Sequence, residues 1–487
     1  MKNSKIRPSP RIKGLVLAVH AALAGAAWAL PQDATVVNGQ VAINRATPGA
    51  LQITASNGAI INWKQFSIGA SETTQFIQPN ASSAVLNRVV GSTASQLLGQ
   101  LKANGSVFLI NPNGIVVGGG ARIDTQSFIA STLDMTDSDF LAGKLRYFAG
   151  SAAGKIRNDG VITAGPGGRI ALIAPDIENS GIIRAPDGNI LLAAGRKLEI
   201  ASLDLDGVTF EIQAPTDSVL NLGKLLADNG AVRAFAGSLR HSGEIQANRM
   251  VQQADGSIVL AGSNDITLTR DSTTKADGLA GGTIVVQSTN GTARVAGELT
   301  ALGATGAGGD IRVLGQRVAL ESGAALDVSG SQAGGQILVG GDFQGRNPDV
   351  QNAQRVFVGT GATLRADATR QGDGGRVIVW ADENTRYHGS LSAQGGPLGG
   401  DGGFAEVSGK GNLEFVGQAF LGAALGASGT LLLDPLDILV SLTSGILPIV
   451  VDEFTDFPSN IVTVSPSALA AAVRPAPGVV RAMASRT

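Results

Sequence analysis

A short phrase that joins a glycine or asparagine turn to an apolar strand recurs along most of the chain. It begins at Asn158 with NDGVITAGPGGRIALIA and returns 21 residues later at Asn179 with NSGIIRAPDGNILLAAG. Within it Ile170, Leu172 and Ala174 alternate with their neighbours, as the buried face of a strand does. Further versions begin at His241, Gly281, Gly308, Gly334, Gly372 and Gly400. A unit of about 20 residues cannot bury its own apolar face, whereas stacked units form a continuous core.

The repeat therefore predicts an all-β solenoid, a parallel β-helix, in which each strand pairs with the coils before and after it. A series of β-sandwiches or a propeller is the alternative, but a propeller blade needs about 40 residues. Glycine supplies 67 of the 487 residues, which suits a fold with many tight corners. At ~4.8 Å per coil, stacked coils of about 20 residues predict a rod of roughly 95 Å.

Three regions are expected to depart from regular coils. The stretch 92–101 (STASQLLGQL) predicts a short helix or loop, and 132–149 (TLDMTDSDFLAGKLRYFA) predicts an excursion outside the helix. The first coil of an open stack exposes unpaired backbone groups to other strands. We therefore expect residues 34–76 to form an N-terminal cap.

The first 29 residues have the pattern of a secretory signal peptide. Five basic side chains and no acid lie in residues 2–13, an apolar run covers 14–27, and Ala27-Trp28-Ala29 offers a small-x-small cleavage site. A membrane anchor is the alternative, but the run is shorter than the roughly 18 residues that a spanning helix needs. Removing those five charges changes the formal net charge from −2 to −7, which gives no support for nucleic-acid binding.

The segment Val107–Ile110 is apolar and β-branched enough for a strand, and a second strand resumes at Ile115. Between them Asn111-Pro112-Asn113-Gly114 fits a type I turn. Type I turns twist against the strands of a tight hairpin. The turn is therefore expected to carry the chain round a corner to a new sheet.

Residues 86–135, LNRVVGSTASQLLGQLKANGSVFLINPNGIVVGGGARIDTQSFIASTLDM, contain three phrases in a fixed order. In this combination they resemble the N-terminal secretion domain of filamentous-haemagglutinin-like exoproteins of bacterial two-partner secretion. The resemblance implies a right-handed parallel β-helix that leaves a Gram-negative cell through the Sec machinery and then a dedicated outer-membrane transporter. That transporter is a β-barrel with periplasmic docking domains, and the product is secreted or held at the cell surface.

The resemblance also implies which residues serve recognition by the transporter. They are Asn87, Arg88, Val89, Asn104, Gly105, Asn111, Pro112, Asn113, Gly114, Ile115, Ser131, Thr132, Leu133 and Asp134. Whether the asparagines of the turn contact the transporter or hold the fold stays open. We favour the second role, because Asx turns are usually structural.

Four regions follow from the signal peptide, the resemblance and the higher content of Leu and Ile past Gly429. They are a signal peptide at 1–29, a secretion domain at 30–275, a β-helical shaft at 276–435 and a C-terminal tail at 436–487. The shaft contains GGRVIVWADENTRYHGSLSAQGG and GTLLLDPLDI, which look like phrases from the downstream region of this family. The tail belongs either to a small stand-alone member or to a truncated reading frame.

Catalytic and metal-binding patterns were not found in the sequence. The acidic groups at 134–139, 204–206 and 452–453 each lie in one loop-like stretch, with no matching group one coil away. After signal cleavage the two histidines, His241 and His388, have no neighbour at metal spacing. The glycine-rich turns do not complete a calcium-binding nonapeptide. With no cysteine, disulfides and thiolate sites are excluded, and no metal or cofactor is expected.

Trp380 and Phe404 follow double glycines at similar places in two strands. They predict either an outward carbohydrate-binding ladder or stacking inside the core, of which we favour the core. The function that fits best is a non-enzymatic adhesin or surface fibre, with a host receptor or glycan as partner. A truncated contact-dependent toxin carrier and a β-helical polysaccharide-degrading enzyme are the alternatives, since fold alone does not decide function.

Overall fold

The computed structural model describes residues 30–150, 153–200, 208–211, 217–250, 256–434, 438–440, 462–464 and 479–482. The predicted signal peptide and most of the predicted C-terminal tail lie outside these residues. Within them, no helix is long and apolar enough to cross a membrane.

The strands of the N-terminal half are short. They are β1 (Gln32–Asn38), β2 (Val41–Asn44), β3 (Ala50–Ala55), β4 (Ala59–Gln65), β5 (Thr73–Ile77), β6 (Ala84–Val89), β7 (Ser95–Leu97), β8 (Gln100–Ala103), β9 (Ser106–Ile110), β10 (Ile115–Val117), β11 (Arg122–Thr125), β12 (Ser127–Ser131), β13 (Leu145–Phe148), β14 (Ile156–Asn158), β15 (Val161–Ala164), β16 (Arg169–Ala174), β17 (Asp176–Asn179), β18 (Ile182–Arg184), β19 (Asn189–Ala194), β20 (Lys197–Ile200), β21 (Val208–Glu211), β22 (Ser218–Asn221), β23 (Lys224–Leu226), β24 (Ala231–Ala236), β25 (Ser238–His241) and β26 (Glu244–Gln246). A helix, α1 (Asp137–Leu141), lies between β12 and β13.

The C-terminal half continues in the same way. Its strands are β27 (Ser257–Gly262), β28 (Ile266–Leu268), β29 (Thr273–Lys275), β30 (Thr283–Ser288), β31 (Thr292–Val295), β32 (Glu298–Thr300), β33 (Asp310–Leu314), β34 (Arg317–Leu320), β35 (Ala325–Asp327), β36 (Gln336–Val339), β37 (Ala353–Val358), β38 (Thr363–Arg365), β39 (Arg376–Tyr387), β40 (Ser390–Ser392), β41 (Phe404–Gly409), β42 (Asn412–Phe415), β43 (Gln418–Phe420), β44 (Thr430–Leu433), β45 (Ile438–Val440), β46 (Val462–Val464) and β47 (Val479–Ala482). A 3-10 turn at Phe343–Gly345 lies between β36 and β37.

These strands stack into three parallel faces, which confirms the parallel β-helix. Face 1 consists of β4, β6, β9, β12, β16, β19, β24, β27, β30, β33, β36, the first half of β39, β41, β44 and β47. Face 2 consists of β7, β10, β14, β17, β22, β25, β28, β31, β34, β37, the second half of β39, β42 and β46. Face 3 consists of β3, β5, β8, β11, β15, β18, β23, β26, β29, β32, β35, β38, β40 and β43.

One apolar core runs inside the three faces from Leu30 to Leu433. The alternating Ile170, Leu172 and Ala174 point into it, as the sequence predicts. The coil length is only partly as expected. Arg169 pairs with a residue 20 positions on, at 189. From β24 to β44 most coils take 26 to 28 residues because the corner before face 1 is longer, and the coil from β36 to β39 takes 40 because it carries an insertion. The described coils from β4 to β44 therefore rise about 60 Å rather than 95 Å.

The turn at Asn111–Gly114 does carry the chain round a corner, from β9 on face 1 to β10 on face 2, and Gly114 N donates to Asn111 O at 3.1 Å. The helix or loop expected at 92–101 is wrong, because β7 and the start of β8 lie there. Ser95 and Leu97 both point inward. Pairing with neighbouring coils thus outweighs the polar composition of this stretch.

The excursion expected at 132–149 is present and covers the outer side of face 1. Helix α1 begins where Thr136 Oγ1 accepts the N–H of Asp139 at 3.0 Å, and β13 pairs antiparallel with β20. Outward-facing Phe108 and Ile129 of face 1 pack against Phe140 and related side chains in a second apolar cluster. Face 1 is therefore buried on both sides here, which explains its unbroken apolar strands.

The N-terminal cap is shorter than the 34–76 expected. Strand β1 pairs antiparallel with β4, and β2 pairs antiparallel with β3. From β3 and β4 onward the pairing is parallel, so the first complete coil already starts there. The cap proper is β1 and β2.

A second insertion, residues 340–352, lies over face 1 of the shaft and is called the strap below. It covers Trp380, which belongs to a cluster with Leu338, Ile378 and Val350 outside the main core. The inward stacking expected for Trp380 is therefore wrong. Phe404 pairs in register with Arg376 rather than with Trp380, because the double glycines stand at different offsets from the two aromatic residues.

A column of glycines runs along the corner where the chain enters face 1. A Cβ on Gly309 would lie 2.0 Å from the carbonyl oxygen of Gly282, and one on Gly335 would lie 2.1 Å from that of Gly309. From Gly230 to Gly403 each carbonyl accepts a hydrogen bond from the next coil, as Gly282 O does from Asp310 N at 2.9 Å. The column consists of Gly168, Gly188, Gly230, Gly256, Gly282, Gly309, Gly335, Gly375, Gly403 and Gly429.

Inside face 2, four polar side chains form a buried ladder. Asn158 donates to Asn179, and Asn179 donates to Asn221, each at 2.8 Å. Asn221 Nδ2 donates to His241 Nδ1 at 3.1 Å. His241 Nε2 lies 3.3 Å from the carbonyl oxygen of Thr273, so the neutral ring with the proton on Nε2 satisfies both ends. Burial lowers the pKa of His241 to about 4.

We expect Gly309→Ala to destabilise the rod by about 3 kcal/mol or more, because a backbone carbonyl cannot give way to a methyl group as a flexible side chain can. Gly119→Ala is the matched control, since its nearest neighbour would be 3.8 Å away. Denaturant unfolding of the mature chain compares the two. Equal midpoints for both variants would contradict the close-approach argument.

Because of His241, we predict that the free energy of unfolding decreases as the pH is lowered. The unfolded chain takes up a proton near pH 6.5, whereas the folded chain does so only near pH 4. Stability from this group is therefore complete above pH 6.5 and decreases towards pH 4, by up to about 1.4 kcal/mol per pH unit. In unfolding measurements across this range, His241→Asn should be less pH-dependent than the unchanged chain. Identical pH profiles would exclude this role of His241.

Candidate functional site

The three phrases of residues 86–135 come together on consecutive coils. Asn87 in β6 pairs in register with Leu109 in β9, and Leu109 pairs with Ala130 in β12. The turn at 111–114 follows β9, and the last phrase follows β12. The fold thus brings the ends of the three phrases to the corner between faces 1 and 2, whereas Asn104 and Gly105 lie at the corner between faces 3 and 1.

Arg88 links the first phrase to the last. Its Nε donates to Asp134 at 3.0 Å, its Nη1 to Asp137 at 2.7 Å and its Nη2 to the carbonyl oxygen of Met135 at 2.8 Å. Burial opposes the charge, but the hydrogen bonds and charges of Asp137 and Asp134 outweigh it and raise the pKa of Arg88. Arg88 therefore fastens the excursion to β6.

Asn87 is fully buried beside Trp63, one coil earlier. Trp63 Nε1 donates to Asn87 Oδ1 at 2.9 Å, and Asn87 Nδ2 donates to the carbonyl oxygen of Phe108 at 3.2 Å. Three successive coils are tied together by this one side chain. Trp63 was not predicted as part of the site, although the need of a buried indole N–H for an acceptor could have indicated it.

Asn111 is also fully buried and organises the corner. Its Nδ2 donates to the carbonyl oxygen of Thr93 at 3.0 Å and to Ser95 Oγ at 2.9 Å. Its Oδ1 accepts from the backbone N–H of Asn113 at 3.0 Å.

Asn113 is exposed, and its Nδ2 donates to the carbonyl oxygen of Gly91 at 2.9 Å. Pro112 accepts from Gly154 N at 2.7 Å.

The remaining phrase residues also hold coils together. Asn104 pairs with Gln78 in both directions, accepting from its N–H at 2.8 Å and donating to its carbonyl at 2.7 Å. A Cβ on Gly105 would meet Ser83 O at 2.6 Å. Ser131 Oγ bonds Leu133 at both its N–H and its carbonyl.

Most of the residues predicted to face a transporter are therefore inside the fold. The buried ones are Asn87, Val89, Gly105, Asn111, Gly114, Ile115, Ser131, Thr132 and Leu133. Asn104 and Asn113 are exposed, and the side chains of Arg88 and Asp134 are 14% and 36% exposed. In the folded chain, most of these residues contact neighbouring coils, and their role in recognition stays a prediction.

The exposed feature nearby that the sequence did not single out is the open edge of β1 in the cap. In the part of the chain that the structure describes, β1 pairs on one side only, with β4. Its Val36 and Val37 are 44% and 46% exposed, and Ile43 of β2 is exposed as well. Apolar residues on an edge strand were the available signal, because such edges recruit further strands.

No group of three or more acidic or histidine side chains among the described residues could hold a metal ion. Asp134 and Asp137, part of the densest acidic stretch of the sequence, are engaged by Arg88. His388 lies 3.3 Å from Glu414.

The family profile described as "TPS secretion domain" matches residues 27–274. Two heme/hemopexin-binding proteins of Haemophilus influenzae, one of them from strain ATCC 51907 / DSM 11121 / KW20 / Rd, are each 38% identical, over 130 and 106 residues. These matches cover 26% and 22% of this chain, and only 14% and 12% of those proteins. The chain thus spans a small part of the relatives that it matches.

The crystal structure of the HMW1 secretion domain from Haemophilus influenzae is similar, with a TM-score of 0.64 and 33% sequence identity. The match covers 82% of this chain and 100% of that one. The boundary expected at residue 275 stays a prediction, because the coils continue across it without a break. The family match and the shared secretion-domain structure show that the chain belongs to the TPS secretion-domain family, the exoproteins that two-partner secretion exports across the outer membrane of Gram-negative bacteria.

Proposed function

We propose that the cap is the docking edge for the periplasmic domains of the outer-membrane transporter, which would add a strand to β1. The observation that carries this proposal is the one-sided pairing of β1, with Val36 and Val37 exposed. Strand addition satisfies backbone groups along the whole edge and lets the exposed apolar side chains select the partner.

The corner formed by the three phrases supports export indirectly. Trp63, Asn87, Arg88 and Asn111 tie neighbouring coils together through partners 18 to 46 positions away in the sequence. We propose that these contacts complete the first stable coils once the chain emerges, so that each later coil folds on a finished template. The residues of the phrases then act by holding the fold rather than by touching the transporter.

We propose the shaft as a non-enzymatic binding rod, an adhesin or surface fibre whose partner is a host receptor or glycan. The continuation of regular coils well beyond the matched 27–274 supports this role. Haem binding is not carried over from the relatives, because His241 is buried in the ladder and His388 is paired with Glu414. The toxin-carrier and enzyme alternatives gain no support from the described residues.

Secretion into the medium of a Gram-negative host, with and without the transporter, tests the docking edge. Val36→Lys/Val37→Lys should lower transporter-dependent secretion by about tenfold or more, because charges on an edge strand oppose strand addition. Val416→Lys is the matched control, since Val416 is 42% exposed and lies in the shaft, outside the cap and the three phrases. Normal secretion of the double variant would reject the edge. Secretion that needs no transporter would reject the whole proposal.

Asn111→Ala and Asn113→Ala separate a structural role from recognition. Asn111→Ala should cost about 2 to 3 kcal/mol and reduce secretion, because several buried partners lose a hydrogen bond. Asn113→Ala should cost less than about 1 kcal/mol and leave secretion nearly unchanged, since this side chain is exposed. Unfolding midpoints and secreted amounts are compared. A stable Asn113→Ala protein that is not secreted would instead show direct recognition.

A further inference from the structure

The strap covers a row of outward-facing side chains on face 1. The row consists of four residues that pair in register from one coil to the next, namely Leu338, Ile378, Glu406 and Leu432. All four are buried, and Glu406 is the one ionisable group among them; Arg312 of β33 stands in register beside Leu338. A carboxyl group in such a place is costly unless it has a specific partner.

The partner of Glu406 is the strap itself. The backbone N–H of Gln344 donates to its two carboxyl oxygens, at 3.1 and 3.3 Å. Ser408 Oγ donates to Oε1 at 2.9 Å. Gln344 has a left-handed backbone, with φ at 54°, which costs free energy for a residue other than glycine. The strap is thus held in a strained conformation at the point where it contacts Glu406.

The hydrogen bonds that Ser408 and Gln344 donate favour the ionised form of this carboxyl, but neither they nor the surrounding charges offset its burial. Arg376 of β39 favours its ionised form but also pairs with Asp342 of the strap at 3.2 Å. Asp434, just after β44, opposes ionisation. Arg312 and Asp310 of β33 pair with each other at 2.6 Å.

Burial, reinforced by Asp434, raises the pKa of Glu406 from its ordinary 4.5 to about 7. If the strap opens, water reaches the carboxyl and the pKa returns towards 4.5. The closed state therefore holds the proton more tightly than the open state. Closure is most favourable at pH values below 4.5, weakens as the pH rises from 4.5 to 7, and changes little above that.

We propose that the strap is a pH-sensitive latch, shut over face 1 while Glu406 is protonated and loosened when Glu406 is ionised. Opening uncovers the row together with Trp380, an apolar and aromatic patch on the side of the shaft. Neither the family nor the secretion function implies this device, because it lies beyond the matched 27–274.

Trp380 reports the state of the latch. It is 5% exposed, and the strap residue Gly345 lies so close that a Cβ there would be 2.5 Å from the indole nitrogen. Acrylamide quenching is measured on the mature chain and on Trp380→Phe. The difference between the two gives the signal of Trp380 alone, separated from that of the buried Trp63. Between pH 5 and 7 the population of the open strap should rise by up to about tenfold per pH unit and then level off.

Two variants decide whether Glu406 is the titrating group. Glu406→Gln keeps an acceptor for Gln344 N–H and cannot ionise, so its quenching should stay low at every pH. Glu406→Leu serves as the second test if Glu406→Gln does not fold. It replaces the carboxyl by an apolar side chain, so quenching should again be independent of pH. Glu414→Gln on the neighbouring β42 is the control and should keep the original profile.

A flat profile in the unchanged chain, or an unchanged profile in the Glu406 variants, would overturn the proposal. Hydrogen exchange distinguishes the latch from unfolding of the rod. Strap amides should lose protection as the pH rises, after correction for intrinsic exchange, while those of β36 and β39 stay protected. Simultaneous loss in both would also overturn it.

Discussion

The close contact between one corner glycine and the next fixes how successive coils stack along most of the rod, from Gly168 to Gly429. With a carbonyl oxygen about 2 Å from where a Cβ would stand, Gly282 and Gly309 leave no space for any other residue. The same carbonyl accepts the hydrogen bond that starts the next strand of face 1, at Asp310. Since a coil that begins in register keeps its three strands in register, the apolar residues of successive coils meet inside and form one core.

Period-two alternation made part of this fold predictable from the sequence. Ile170, Leu172 and Ala174 point inward as expected, and the turn at 111–114 changes face as expected. The same alternation could not tell inside from outside where face 1 is buried on both sides, so Trp380 was placed wrongly. It also gave no sign of the strap, whose contacts with Glu406 span 62 residues.

The candidate site was likewise predictable from the sequence only in part. The phrases were found because their order and spacing are specific, but their burial could not be inferred from the letters alone. The ion pair between Arg88 and Asp134 joins residues 46 positions apart, and the turn asparagine Asn111 bonds Thr93 and Ser95 across the corner. Side chains that look like an exposed signature can therefore be buried contacts that hold neighbouring coils together.

Three coils are enlarged at the same place. The excursion after β12, the segment that contains β20 and β21, and the strap after β36 all leave face 1 before the chain enters face 2. The coil that contains Asn111–Gly114 closes that corner with a tight turn instead. Because the chain departs from and returns to neighbouring points, new sequence can be added there without shifting any strand out of step. Such growth thickens the rod on one side only, so its outline is lopsided, with a bulky flank and two slender flanks along which neighbouring molecules could approach.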